Sequence, residues 1–214
     1  MSHDDFDFDP VRGLPEVLPA GERMLWQGSP RWQDMALHAF HVRKVAVYFA
    51  VITFCVVVLR LADGLSLLDA LKPVLWYLPL TLVSVGLLSG LAWASAKTTI
   101  YTITTKRIVL RIGIALPMSL NVPFSLIENA GLRTYASGAG DIPVELKGDD
   151  RVAWLILWPH ARPFHLKNPQ PMLRAVPNAE TVAHLLGDAL QGKATIALPS
   201  ERKAVRFASN IVTA

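Results

Sequence analysis

Two hydrophobic patterns divide this chain. From Val45 to Ala96 apolar residues run almost without interruption, and the only formal charges are Arg60, Asp63, Asp69 and Lys72. From Lys97 onward the apolar runs shorten, many alternate with polar residues, and Gly, Pro, Ser or Asp separates them. The first pattern reads as long helices and the second as short strands.

Val45–Ala62, VAVYFAVITFCVVVLRLA, spans eighteen residues, roughly 27 Å of helix and just enough to cross a hydrocarbon core once Arg60 reaches back to the headgroups. Its β-branched residues would favour a strand in water. In lipid a lone strand leaves its backbone groups unpaired, so a helix is expected. Pro73–Ala96 carries no charge over twenty-four residues, with Trp76, Tyr77 and Trp93 near its ends and Pro79 predicting a local kink. The expected hairpin, residues 35–96, has spans at 45–62 and 74–96 joined antiparallel by the ten-residue connector Asp63–Lys72.

Beyond the hairpin, strands are expected in Thr98–Ile112, Leu116–Ile127, Gly131–Ser137, Asp141–Leu146, Val152–Trp158 and Arg162–Lys167, with turns at residues 137–140, 147–150 and near Pro159. Asn178–Gln191 predicts an amphipathic helix, capped by Asn178, with Val182, Leu185, Leu186 and Leu190 on one face and His184 opposite. The expected fold is a membrane α-helical hairpin plus an α+β, barrel-like domain at 97–192 of pleckstrin-homology (PH)-like plan, closed by that helix. A basic tail, 193–214, is left without assigned structure.

Composition agrees. The 214 residues are 52% hydrophobic and 18% charged, against about 25% charged in an ordinary soluble domain. With a mean hydropathy of +0.35, neither a disordered chain nor an ordinary soluble enzyme fits. The net charge of +4 is unevenly spread: residues 1–34 carry seven acids and three bases, residues 97–214 fourteen bases and eight acids. The acidic 1–34 segment reads as an extended arm. It lacks a basic stretch ahead of an apolar core, so it is not expected to be a signal peptide. Its Asp5, Phe6, Asp7, Phe8 and Asp9 form an acidic–aromatic docking motif. Arg31, Arg43 and Lys44 precede the first span, and Lys97, Lys106, Arg107 and Arg111 follow the second. The positive-inside rule therefore puts both termini in the cytoplasm. The four later bases are expected just below the membrane, against anionic lipid, and nucleic acid is not an expected partner.

Catalytic chemistry is not legible. Cys55 is the only cysteine, which excludes an intramolecular disulfide and zinc sites built on several thiolates. No nucleophile elbow or phosphate loop occurs, and Gly138-Ala139-Gly140 reads as a hairpin turn. No enzyme activity, cofactor or metal site is expected. His38 and His41, three apart, are expected on one helix face as an interfacial pair; the sharper alternative is a ligand to metal or to a chlorin magnesium. His160 and His165 are expected at turn and strand-edge positions. Gly86, Gly90 and Ala94 recur every fourth residue. That face admits close approach of another helix, either the first helix of the hairpin through Ala46 and Ala50 or a partner's; a homodimer is a further expected association.

Two blocks carry a resemblance. Gly21-Glu22-Arg23-Met24-Leu25-Trp26-Gln27-Gly28-Ser29-Pro30, followed after the hairpin by Tyr101-Thr102-Ile103-Thr104-Thr105-Lys106-Arg107, resembles bacterial PH-like membrane proteins. The opening DDFDFDPVRGLPEVLPAGERMLWQG, with GAGDIPVEL, WPHARPFHLKNPQPMLRAVPNAE and VAHLL, resembles the photosynthetic complex assembly (PuhB) family of purple bacteria. The resemblance implies a non-enzymatic assembly factor in the photosynthetic inner membrane. Such a factor binds nascent reaction-centre subunits and core light-harvesting polypeptides, and no catalytic residue carries over. The alternatives are a PH-like scaffold that binds anionic lipid and a bacteriochlorophyll carrier acting through His38 or His41.

Overall fold

The structure is a computed structural model that describes residues 13–114, 116–147, 157–165 and 169–192. Strand β1 (Met24–Gly28) and helix α1 (Trp32–His38) lead into α2 (Val42–Ala62), the short α3 (Leu67–Leu71) and α4 (Val74–Thr98). Strands β2 (Ile100–Thr104), β3 (Arg107–Ile112), β4 (Met118–Pro123), β5 (Ile127–Ala130), β6 (Arg133–Thr134), β7 (Gly140–Leu146) and β8 (Met172–Val176) follow, then α5 (Ala179–Leu190).

Helices α2 and α4 are long and apolar enough to cross a membrane, and their most apolar stretches are not buried inside the protein. They begin and end within three residues of the expected bounds. Three of their hydroxyls turn back on their own helix, where they need no water: Thr53 donates to the Phe49 carbonyl at 2.7 Å, Thr81 to Tyr77 at 2.7 Å and Ser84 to Leu80 at 2.8 Å. Helix α4 continues through Pro79.

The strands form two antiparallel sheets, β1-β2-β3-β4 and β5-β7-β6, with β8 also paired to β7. No sheet among the described residues closes into a barrel, contrary to the barrel-like expectation. Pro123 ends β4 without an N–H to donate, and a single 3-10 turn, Phe124–Leu126, redirects the chain into the other sheet. The core lies between the sheets. Tyr101, Ile103, Ile108 and Leu110 face Ile142, Val144, Leu173 and Val176, and α5 covers them with Ala179, Val182 and Leu186. Each buried Val, Leu or Ile among them contributes about 1.5–3 kcal/mol by leaving water. Gly140 permits a close approach: an added Cβ would strike the Arg133 carbonyl and the Ala179 side chain.

Several expectations need correction. The segment 1–34 is not simply an extended arm, because Met24–Gly28 pairs with β2 and Leu14 is fully buried. The helical hairpin is thus inserted between two neighbouring strands of one sheet. Arg162–His165 is turn and coil, and the strand lies instead at Met172–Val176, which the Pro-rich NPQP run had obscured. The described end of the expected strand 152–158 is also not extended: Leu157 is helical and Trp158 is in a turn. Asn178 precedes α5 in the left-handed region, φ 51°, and its side chain makes no capping hydrogen bond. Residues 5–9, 152–156 and the tail lie outside the described residues.

Candidate functional site

The polar residues that converge do so where α1, the end of α4, β7, β8 and the Leu157–His165 loop meet. Helix α1 carries Met35 and Ala36 and is followed by Phe40. These bury against Ala92 and Ala96 of α4 and against Ala175 of β8. Its polar side is pinned as well. Asp34 accepts the Ser137 hydroxyl at 2.8 Å and pairs with Arg31 at 3.3 Å, while His38 stacks on Tyr135 with ring centroids 3.7 Å apart.

Behind this contact lies a buried network. The His160 ring, 1% exposed, sits between the Tyr101 hydroxyl, 2.7 Å from Nδ1, and the Thr99 hydroxyl, 3.1 Å from Nε2. Tyr101 Oη also accepts the Arg174 backbone N–H at 3.0 Å. The set is satisfied if Tyr101 donates to Nδ1 and His160 Nε2–H donates to Thr99, which is the neutral imidazole. Arg174 donates to the Pro159 carbonyl at 2.9 Å and faces Asp141 at 4.0 Å. Asp141 in turn accepts the N–H of Ala175, whose φ of 49° is strained for a residue with a Cβ. The Ala175 carbonyl accepts the Arg31 N–H at 2.9 Å. Burial pushes the Tyr101 phenol up, and burial followed by a hydrogen bond to Asp141 does the same to Tyr135.

Burial, and then the Arg174 charge, hold His160 down to about 3, so the folded protein keeps it neutral. The unfolded chain takes up a proton near pH 6.5. Between those values the unfolded state binds more protons, so stability is full above pH 6.5 and falls as the pH drops toward 3, by about 2 kcal/mol at pH 5. Thermal unfolding of the detergent-solubilised protein from pH 7.5 to 5 should show this slope, and His160→Gln, which does not titrate, should flatten it. An unchanged slope in the variant would remove His160 as its source.

Other expected site residues are dispersed. His38 ends α1 whereas His41 precedes α2 in the left-handed region, φ 54°, so they share no helix face. Partial burial, and then the Lys44 ammonium, lower the His41 pKa. His160 lies in the turn expected of it, its N–H donating to the Leu157 carbonyl at 2.6 Å, but its ring is buried in the core, while His165 meets the Pro163 carbonyl with Nδ1 at 2.9 Å and His184 is exposed. The four bases form no single patch. Lys97 lies over the Trp93 ring at 5.1 Å, and Arg111 is buried opposite Ile100, both near the end of α4. Lys106 and Arg107 occupy the far turn of the β2–β3 hairpin, about 16 Å along the strand. There Arg107 is committed to a fork on Glu22, at 2.9 and 3.1 Å, and Glu22 also accepts the Thr104 hydroxyl at 2.7 Å.

The small-residue face of α4 turns outward. An added Cβ at Gly86 or Gly90 would meet nothing within 4 Å, and both residues are exposed. Helix α2 therefore packs elsewhere on α4, and the glycines do not serve the hairpin's own packing. Sequence reasoning missed Tyr101, Asp141, His160 and Arg174. The available signal was a charge inside the apolar run Met172–Val176 and a carboxylate directly after the glycine turn.

The Bacterial PH domain family model matches residues 45–190. An "Uncharacterized 23.7 kDa protein in puhA 5′region" of Rhodobacter capsulatus is 39% identical over 195 residues, 90% of this chain and 91% of that protein. A DUF1696 family protein with a pleckstrin-homology domain from Shewanella loihica PV-4 overlaps 45% of this chain and 71% of its own at 11% identity, with a TM-score of 0.29. By the extent of the family match, and by its likeness to the Rhodobacter protein over nine-tenths of its length, the chain belongs to the bacterial PH domain family.

Proposed function

We propose that this protein is a membrane-bound assembly factor for the photosynthetic reaction centre and its core light-harvesting complex. In this reading α2 and α4 cross the inner membrane with both termini in the cytoplasm. The α4 face holds a client helix, the sheet domain meets cytoplasmic client surfaces, and the acidic–aromatic motif at residues 5–9 docks or regulates. The observation that carries it is the outward face of Gly86 and Gly90, both exposed, which the half-buried Ala94 continues. A long apolar helix bears small residues on a side its own hairpin partner leaves bare, which suits close approach of another helix in lipid. The kinship with a protein of the puhA 5′ region, and the resemblance of the N-terminal block, support the choice of client.

Topology is the first check. Reporters fused at residue 1 and after residue 214 should both be cytoplasmic, and one inserted near Ser66 periplasmic. Termini on opposite sides would end the two-span reading. The second check is Gly90→Leu. The site is open, so the variant should insert and unfold as the parent does. Recovery of reaction-centre polypeptides in mild-detergent affinity purification should fall about tenfold, in line with a lost close helix contact. Unchanged recovery would show the face to be incidental. Pigment delivery through His38 is less favoured, because that ring lies flat against Tyr135 and its Nδ1 is engaged by the Asp34 carbonyl at 3.0 Å.

A further inference from the structure

The Leu157–His165 loop is held where both long helices end. Trp158 meets Phe40, two residues before α2, edge to face at 5.4 Å, and His160 meets Thr99, the residue after α4, at 3.1 Å. The loop is braced from behind: Arg162 donates to the Gln170 side chain at 2.7 Å, and Gln170 donates to Glu145 at 3.2 Å. From this braced loop two large apolar side chains point outward. Phe164 is 98% exposed with φ 63°, a conformation that bulky residues rarely adopt, and Trp158 is 48% exposed. A lone exposed apolar residue means little. Two exposed aromatic residues on one loop, bound at 158 and 160 to residues that flank the apolar helices, fit the interfacial zone in which aromatic residues settle in a bilayer.

We propose that Trp158 and Phe164 form a membrane anchor that dips into the boundary between headgroups and acyl chains, in the leaflet that α2 and α4 enter from the sheet domain. The occupant of this surface is lipid. The anchor adds a third point of attachment beside the two helices and sets the tilt of the sheet domain over the bilayer. It rests on the reading of α2 and α4 as membrane-spanning.

The test uses the full-length protein in phospholipid vesicles, with p-benzoylphenylalanine replacing Phe164, Phe54 or Lys106 in turn. Phe54 lies exposed on α2 and serves as the reference for lipid contact, and Lys106 at the far hairpin turn serves as the reference for water. After irradiation, mass spectrometry should find phospholipid adducts at 164 and 54, about tenfold more than at 106. Adducts at 54 with none above background at 164 would overturn the anchor and leave the spanning helices standing. No adducts at 54 would overturn the spanning helices and the anchor together. A protein adduct at 164 in native membranes, without a lipid adduct in vesicles, would assign the surface to a protein and overturn the lipid proposal.

Discussion

A strain lacking this protein, grown under low oxygen, is expected to accumulate several-fold fewer reaction centres, while those that form absorb and transfer electrons normally. In the assembly reading the protein acts during biogenesis and is expected to contribute nothing to the finished machine. Two measurements separate these effects: reaction-centre content from membrane absorbance, and charge-separation kinetics per centre. Normal content in the null strain would remove the assembly reading. Slowed kinetics at normal content would instead place the protein in the working complex.

The second large effect is on folding. Asp141→Ala should destabilise the sheet domain by about 3–5 kcal/mol, because it strands the Arg174 guanidinium inside the protein without its counter-charge. That is a large share of the 5–15 kcal/mol typical of a whole domain. The same carboxylate holds the strained N–H of Ala175 and the Tyr135 hydroxyl, so the loss spreads to the α1 contact through the Ala175–Arg31 hydrogen bond. Thermal unfolding in mild detergent reads it out. Removing both charges, as Asp141→Leu with Arg174→Met, should restore a good part of the loss, since an apolar pair leaves no buried charge uncompensated. A single variant that melts within a degree or two of the parent would show that solvent reaches Arg174 after all.

The pairing of β1 with β2 explains why the two blocks that carry the family resemblance stand about seventy residues apart. GERMLWQG and YTITTKR are neighbouring antiparallel strands, with Trp26 opposite Ile103 and Gln27 opposite Thr102. Gln27 donates to Thr102 at 2.9 Å, and Glu22 and Arg107 clip one end of the pair. Helices α2 and α4 are inserted between them. A pass along the chain sees an acidic arm, a hairpin and a sheet in succession. In three dimensions the arm supplies an edge strand and a docking helix to the sheet domain.

The long helices were legible because the property that defines them is local. A continuous apolar run of sufficient length has few alternatives in lipid, and the observed ends fall close to the expected ones. The amphipathic stripe of α5 was legible for the same reason: its period of 3.6 is written in consecutive residues. Strand β8 was not, because five residues between prolines carry too short a period to distinguish strand from loop, and only pairing with β7 decides it.

Site chemistry divides the same way. Sequence alone placed Gly86, Gly90 and Ala94 on one face of a helix, since a spacing of four guarantees it. Which way that face points depended on where α2 packs. Sequence grouped Lys97, Lys106, Arg107 and Arg111 as one basic region because they are close in number. A hairpin separates such residues by the length of its strands, and a buried carboxylate at Glu22 claims one of them. Sequence placed His160 in a turn beside Pro159 and Ala161, and the backbone does turn there. Its ring became part of the core because Tyr101 and Thr99, sixty positions away, bring the two hydroxyls that satisfy its ring nitrogens. Element type and apolar faces follow from the order of residues; burial, pairing and partner identity follow from long-range contacts, which no local pattern encodes.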